Sequence, residues 1–147
     1  MVNLLSQDAE DLHKCKKTII DTVEMESNGT TLYFKVKVYT DMGEPLMLRG
    51  QLGKKFSFSL LFRDYVPIRR WDFQHRGQIR TNPKGKKISI PENKGHKHKW
   101  NDQTRDREVY VVNNIPINDF KKAFFAFLKE ENIEFKGAFP SMPLWET

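Results

Sequence analysis

Residues 32–40, with the sequence LYFKVKVYT, decide the fold class of this chain. Apolar and polar side chains alternate along them, with Leu32, Phe34, Val36 and Val38 on one side and Tyr33, Lys35, Lys37 and Tyr39 on the other. Alternation with a period of two is typical of a β-strand that buries one face. The stretch therefore predicts a half-buried strand, and the rest of the fold is built outward from it.

Two hairpins follow this strand. Residues 41–44 form a turn that leads to a second strand at 45–52. Gly53 and Lys54 form the next turn, which leads to a third strand at 55–63. Glycine and aspartate favour tight turns because they tolerate the backbone angles that such turns need. The third strand has its large apolar side chains facing one way, at Phe56, Phe58, Leu60 and Phe62. The sequence thus predicts three antiparallel strands with a common apolar face.

An amphipathic helix is predicted at each end of the chain. Ser6 is a good N-cap for the first helix, whose apolar residues recur at helical spacing at Leu12, Cys15, Ile19, Ile20 and Val23. The second helix follows Pro116 and ends near Asn132, and its apolar stripe is Phe120, Ala123, Phe124, Phe127 and Leu128.

The order of elements predicts an α+β domain. A fourth strand is expected to start after Pro67 and run to about His75, followed by a short one at 96–100 and a last one at 107–112, with no βαβ alternation. The prediction is an antiparallel sheet of five or six strands flanked by an N-terminal and a C-terminal helix, which cover one face and leave the other free. Residues 1–147 are expected to form a single domain, with a long basic loop at 76–95 and an irregular tail at 133–147.

Composition limits the class of protein. The chain has 147 residues, of which 38% are hydrophobic, enough for one core, and a single cysteine, Cys15, which excludes an internal disulfide. No apolar run approaches a membrane span and no signal peptide is recognisable, so a cytoplasmic protein without membrane contact is expected. No P-loop, dinucleotide or Cys-x-x-Cys motif is present, and no cofactor is expected.

Positive charge is concentrated in one segment. Residues 69–107 hold 12 basic and 4 acidic residues, whereas the whole chain has a net charge of +6. Such a local excess favours a polyanionic partner. The residues predicted to contact nucleic acid or another partner are Arg69, Trp71, Arg76, Arg80, Lys84, Lys86, Lys87, Lys94, Lys97, Lys99 and Trp100.

Three of the four histidines flank the 76–95 loop. If the strands around that loop pair so that His75 opposes His96, then Phe73 opposes His98 and Trp71 opposes Trp100, and all six side chains share one face. The aromatic rings would form a floor on which bases stack. The three histidines would gather at one end of this floor.

Four interpretations of this cluster remain open at the level of the sequence. The histidines are ordinary polar residues of a sheet, or His75, His96 and His98 are the acid and base groups of a metal-independent ribonuclease. Alternatively, the three imidazoles supply the ligand count of a catalytic zinc, although no carboxylate stands at a telling spacing. In the fourth interpretation the aromatic and basic residues simply bind, without catalysis.

The histidine segments also resemble a known family. His75-Arg76, Asn82-Pro83-Lys84-Gly85 and residues 96–100 are similar to a His-Arg-Asn-Pro-x-Gly element and a downstream His-x-His-x-aromatic element in small bacterial and prophage proteins of unknown activity. This chain departs from the pattern by inserting residues 77–81 after the His-Arg pair. The resemblance implies a mobile-element setting, where toxins, antitoxins and anti-CRISPR inhibitors are found.

These observations together predict a small basic protein that engages nucleic acid, with RNA or a ribonucleoprotein favoured. The alternative is a phage or mobile-element inhibitor that binds a host defence protein directly. The basic segment argues against a mimic of DNA, which is acidic.

Overall fold

A computed structural model describes residues 4–53, 56–74, 77–82, 85–92, 94–112 and 119–139. The helices are α1 (Ser6–Lys14) and α2 (Phe120–Glu130). The strands, in chain order, are β1 (Lys17–Ile19), β2 (Glu26–Ser27), β3 (Leu32–Thr40), β4 (Leu46–Leu52), β5 (Phe56–Phe62), β6 (Val66–Gln74), β7 (Gln78–Thr81), β8 (Lys87–Ile90), β9 (Lys94–Asn101), β10 (Arg105–Val112) and β11 (Ile133–Phe135). None of the helices in these ranges is long and apolar enough to cross a membrane.

The α+β class is confirmed, whereas the predicted strand number is too low. Over the described ranges the main sheet has nine strands in the order β10-β9-β6-β5-β4-β3-β1-β11, with β2 paired to β3. Its pairings are antiparallel except that β1 runs parallel to β11. The strands β1, β2 and β11 were missed because two or three residues are too few to show an alternating pattern.

Helix α1 is shorter than its apolar spacing predicted. It ends at Lys14, and Cys15 already has an extended backbone, so Ile19 lies on a strand instead of in a fourth helical turn. The buried Lys17 explains the stop, because its ammonium donates to the carbonyls of His13 and Cys15 at the end of α1. It also donates to the carbonyl of Glu131 just after α2, so one lysine binds the C-terminal ends of both helices.

The predicted loop at 76–95 contains a second, two-stranded sheet formed by β7 and β8. Asn82, at the end of β7, attaches this hairpin to the edge strand β10. Its side-chain carbonyl accepts from the amide of Val109, and its side-chain amide donates to the carbonyl of the same residue. The asparagine thus pairs with β10 as a strand residue would, which protects part of that edge.

Both helices cover the same face of the main sheet, as predicted. Arg69 and Trp71 are two residues apart on β6, and they contact Glu10 of α1 and Glu130 of α2 respectively. Beneath the helices, the rings of Phe34, Phe58, Phe120, Phe124 and Phe127 belong to one buried cluster. The opposite face of the sheet carries no helix in the described ranges, and we call it the helix-free face.

Gly50 is required for this packing. It lies opposite Phe34 across β3 and β4, and a Cβ atom at this position would come within 2.1 Å of the Phe34 ring. The strand therefore needs a residue without a side chain where the ring crosses it.

Candidate functional site

The helix-free face is built from the polar positions of five neighbouring strands. Residues directly opposite each other in antiparallel pairs point to the same face. The registers of β3, β4, β5, β6 and β9 align one row across the sheet, consisting of Lys35, Arg49, Ser59, Arg70 and His98. Adjacent strands are about 4.8 Å apart, so this basic row is roughly 19 Å long.

A second row runs beside the basic row. It consists of Tyr33, Gln51, Ser57, Asp72 and His96. Asp72 is the acidic residue of this row, and its carboxylate accepts from the guanidinium of Arg70 at 3.0 Å. The negative charge of Asp72 is therefore paired within the face.

The helix-free face is strongly basic. The exposed basic residues are Lys35, Lys37, Arg49 and Lys94. Lys35 and Arg49 belong to the basic row, and Lys37 and Lys94 are each two positions along their strand from a row residue, so all four point to this face. Of these four, the predicted contact residues include only Lys94, because the prediction followed the charge-rich segment 69–107. Lys35, Lys37 and Arg49 come from a different part of the sequence and reach the same surface through strand pairing.

Two tyrosines stand at opposite ends of β3 on this face. Tyr39 is 39% exposed, and the ammonium of Lys37 lies 5.0 Å from its ring centroid. Tyr33 is half-buried beside Glu26 of β2. These rings were part of the alternating pattern of residues 32–40, so the signal for them was present in the sequence.

The histidine cluster lies at the β6–β9 end of the face. The Nε2 atom of His98 is 3.4 Å from the Oδ2 atom of Asp72, and that of His96 is 3.8 Å from the same oxygen. The two imidazole rings are 4.7 Å apart, and both histidines are fully buried. The structure thus brings His96 and His98 together, as predicted, and adds a carboxylate that no sequence pattern had indicated.

The environment sets the protonation of this cluster. Burial, together with the neighbouring His98, lowers the pKa of His96 to about 4. Burial alone would raise the pKa of Asp72, but its hydrogen bond with His98 and the charge of Arg70 outweigh burial and hold that pKa below its usual range. Near pH 7 His96 is neutral, so it can accept a proton or bind a metal but has no proton to give as a general acid.

The prediction that an aromatic floor shares one face with the histidines is wrong. In the observed register His96 opposes Asp72 and Trp71 opposes Lys97, so the histidines and Trp71 lie on opposite faces. A shift of an odd number of residues moves every side chain of a strand to the other face relative to its partner. Trp71, Phe73 and Trp100 are buried in the main core, where they are unable to stack on a ligand.

Two basic residues that were predicted to contact a partner lie on the buried, helix-covered side of the sheet. Arg69 is buried and donates to the carboxylate of Glu10 at 2.7 Å. Lys97 is buried, donates to the carboxylate of Glu130 at 2.8 Å, and lies over the ring of Trp71. These cations stabilise contacts between the sheet and the helices, so their charges do not contribute to an exposed basic surface.

The remaining predicted residues fall into three groups. Lys86 and Lys87 are exposed on the β7–β8 hairpin, and Arg80 is half-buried there. Lys99 is half-buried and contacts Glu108 at 3.0 Å. His75, Arg76 and Lys84 lie outside the described residues.

Comparisons with known proteins give a family and no activity. Residues 4–133 match a family of unknown function, DUF6978. No curated protein and no solved structure matches the chain.

Proposed function

This chain belongs to DUF6978, a family of unknown function, and we propose that its activity is to bind single-stranded RNA through the helix-free face of its sheet. The observation that carries this proposal is the pair of exposed cations in the basic row, Lys35 and Arg49, which lie directly opposite each other on β3 and β4. Four of the five strands of the face contribute a basic side chain to the row or beside it.

The charge of this face supports a polyanionic ligand. Lys35 and Arg49 are exposed and directly opposite each other, so they present two cations one strand spacing apart. Phosphate contacts of this kind supply most of the sequence-independent affinity of nucleic-acid-binding proteins. Asp72 and Arg70 form an ion pair that adds no net charge, so the attraction depends on Lys35 and Arg49.

The shape of the face favours a single strand over a duplex. A sheet surface that combines basic side chains with exposed aromatic rings binds unpaired bases by stacking while cations contact the backbone. Tyr39 supplies an exposed ring at one end of β3, and Tyr33 supplies a half-buried ring at the other end. They take the role that the sequence had assigned to Trp71 and Trp100.

The same proposal includes a setting among bacterial and prophage proteins, as the resemblance of the histidine segments implies. A ribonucleoprotein that exposes single-stranded RNA offers the same chemistry as the free strand. Direct inhibition of a host defence protein is the competing function, and it predicts a single stoichiometric protein partner instead of salt-sensitive binding to many RNA sequences.

The test is a titration of a fluorescein-labelled single-stranded RNA of about 12 nucleotides, followed by fluorescence anisotropy at several salt concentrations. The variant carries Lys35→Glu and Arg49→Glu. We expect its affinity to fall at least about tenfold, and the slope of log affinity against log salt to become shallower by about 1.4, because two phosphate contacts are lost.

A matched control carries Lys122→Glu and Lys129→Glu, which change the net charge equally at exposed positions of α2, on the other side of the sheet from the basic row. This control is expected to lose less than about threefold in affinity, since screening weakens distant charges. Equal losses in both variants, or no binding of RNA by the unmodified protein, would overturn the proposal. Circular dichroism of each variant confirms that it is folded.

A further inference from the structure

The cluster of Asp72, His96 and His98 has the chemistry of a metal site. Each residue offers one ligand atom, and the three atoms lie within 4.8 Å of one another. The side chains come from β6 and β9, which pair directly with Asp72 opposite His96. Two adjacent rigid strands thus hold all three groups in place.

Two of the three distances between the ligand atoms are close to those of a tetrahedral centre. Ligands at about 2.0–2.1 Å from a zinc ion at tetrahedral angles are about 3.3–3.5 Å apart. The Nε2 atom of His98 is 3.4 Å from the Oδ2 atom of Asp72, and the Nε2 atom of His96 is 3.8 Å from it. The separation of the two histidine nitrogens is within 4.8 Å, so coordination of one ion by all three residues also requires the imidazoles to move closer together.

A second observation is independent of these distances. Both ring nitrogens of His96 and the Nδ1 atom of His98 are buried without a hydrogen-bond partner in the described part of the chain. His96 is only 1% exposed. Buried polar groups are normally paired, because an unpaired one costs the free energy of its desolvation. A cation among the three side chains would satisfy the Nε2 atom of His96.

We propose that Asp72, His96 and His98 form a binding site for a divalent transition metal of the zinc class. Two imidazoles and one carboxylate are ligands that Zn²⁺ accepts, whereas Mg²⁺ and Ca²⁺ favour sets made of oxygen alone. Three protein ligands leave one coordination position for a water or a ligand oxygen. This site is separate from the proposed RNA contacts of Lys35 and Arg49, and the proposal of a metal site does not depend on RNA binding.

Arg70 occupies the entrance to the site. Its Nε atom is 3.0 Å from the Oδ2 atom of Asp72, and its Nη2 atom is 3.2 Å from the Nε2 atom of His98. A cation entering the site displaces this guanidinium, whose side chain is 25% exposed and has solvent on one side. Arg70 therefore competes with the metal, and its removal strengthens metal binding.

The test uses the full chain without an affinity tag, stripped of metal with a chelator and dialysed. Co²⁺ is titrated in first, because a tetrahedral site gives it strong visible absorption, and Zn²⁺ is then added to displace it. We expect one Co²⁺ per chain and full displacement by Zn²⁺. Isothermal titration calorimetry with Zn²⁺ gives the affinity directly.

Four variants test which residues bind the metal. Asp72→Asn and His96→Gln are expected to lose at least about tenfold in Zn²⁺ affinity, and Arg70→Gln to gain affinity. His13→Gln is the matched control, since His13 contacts Glu131 on the other side of the fold and is expected to bind Zn²⁺ as the unmodified protein does. Zn²⁺ is also expected to raise the Tm of the unmodified protein and not that of Asp72→Asn.

Three outcomes would overturn the proposal. The first is that neither the unmodified protein nor Arg70→Gln binds Co²⁺ or Zn²⁺. The second is that Asp72→Asn and His96→Gln, shown to be folded by circular dichroism, keep full affinity. The third is that His13→Gln loses affinity as they do, which would place the metal elsewhere.

Discussion

Arg70 on β6 lies directly opposite His98 on β9, and its Nη2 atom is 3.2 Å from the Nε2 atom of that histidine. This contact joins the two functional features of the helix-free face, because Arg70 belongs to the basic row and His98 to the buried cluster. Arg70 also holds the carboxylate of Asp72, so a single guanidinium neutralises the acidic charge beside the row.

The β7–β8 hairpin is expected to assist RNA binding without dominating it. Lys86 and Lys87 are exposed there, on a two-stranded sheet separate from the strands that carry the basic row. The double change Lys86→Glu and Lys87→Glu should reduce RNA affinity about threefold to tenfold at low salt, with a smaller loss near physiological salt, where the Debye length is about 8 Å. Anisotropy titrations at two salt concentrations measure this difference. An affinity unchanged at both concentrations would remove the hairpin from the binding surface.

Lys17 is expected to be essential for stability. Its buried ammonium donates to the carbonyls of His13, Cys15 and Glu131, which would be left unpaired in Lys17→Met. We expect a loss of about 2–4 kcal/mol in the free energy of unfolding, because each buried unsatisfied group is costly. Urea denaturation measures the loss, and Lys16→Met at the exposed neighbouring position should change stability by less than about 0.5 kcal/mol. Equal effects of the two substitutions would contradict the assigned role.

Glu130 connects α2 to the sheet through several donors. Its carboxylate accepts from Lys97, from the indole of Trp71 and from the hydroxyl of Tyr110. Burial and this carboxylate raise the pKa of Tyr110, so its phenol remains a donor. Glu130→Ala leaves the buried Lys97 without its counter-charge and should cost about 3–5 kcal/mol.

The paired change Lys97→Met with Glu130→Leu should restore much of this loss, because it removes both charges together. Chemical denaturation of Lys97→Met, Glu130→Leu and the double variant forms a double-mutant cycle that measures the coupling. Additive losses would show that the two side chains act independently, against the contact described.

Gly50 is expected to tolerate no side chain. The Cβ atom of Gly50→Ala would overlap the ring of Phe34, and the ring has no open space because it packs against Phe58 and Phe124. Overpacking of this kind costs about 1–3 kcal/mol. Thermal unfolding compares it with Gln51→Ala, which lies on the other face and should have little effect. A Tm of Gly50→Ala equal to that of the unmodified protein would contradict the packing.

The long periodic segments of the fold were predictable from the sequence. The alternation at residues 32–40 and the Phe-rich stripe of α2 each extend over enough residues for one period to stand out. The end of α1 was not predictable, because Cys15 and Ile19 continue a helical spacing by chance while Lys17 bonds the last carbonyls. Short strands such as β1 gain their stability from partners distant in sequence.

The candidate site was only half predictable. The proximity of His96 and His98 follows from their spacing on one strand, but their pairing with Asp72 depends on the register between β6 and β9. Nothing local in the sequence fixes that register, since the intervening hairpin is held by the contacts of Asn82 with Val109. Charge density pointed to residues 69–107, whereas strand pairing brings Lys35 and Arg49 from outside that segment to the same face.

The most direct test of the RNA-binding surface is an NMR titration of the isotope-labelled protein with a short single-stranded RNA. Amide signals of β3 and β4 around Lys35, Lys37, Arg49 and Gln51 are expected to shift progressively, while signals on the outer side of α2 around Lys122 stay in place. Shifts confined to α2 or to the β7–β8 hairpin, or no shifts at any RNA concentration, would contradict binding at the helix-free face.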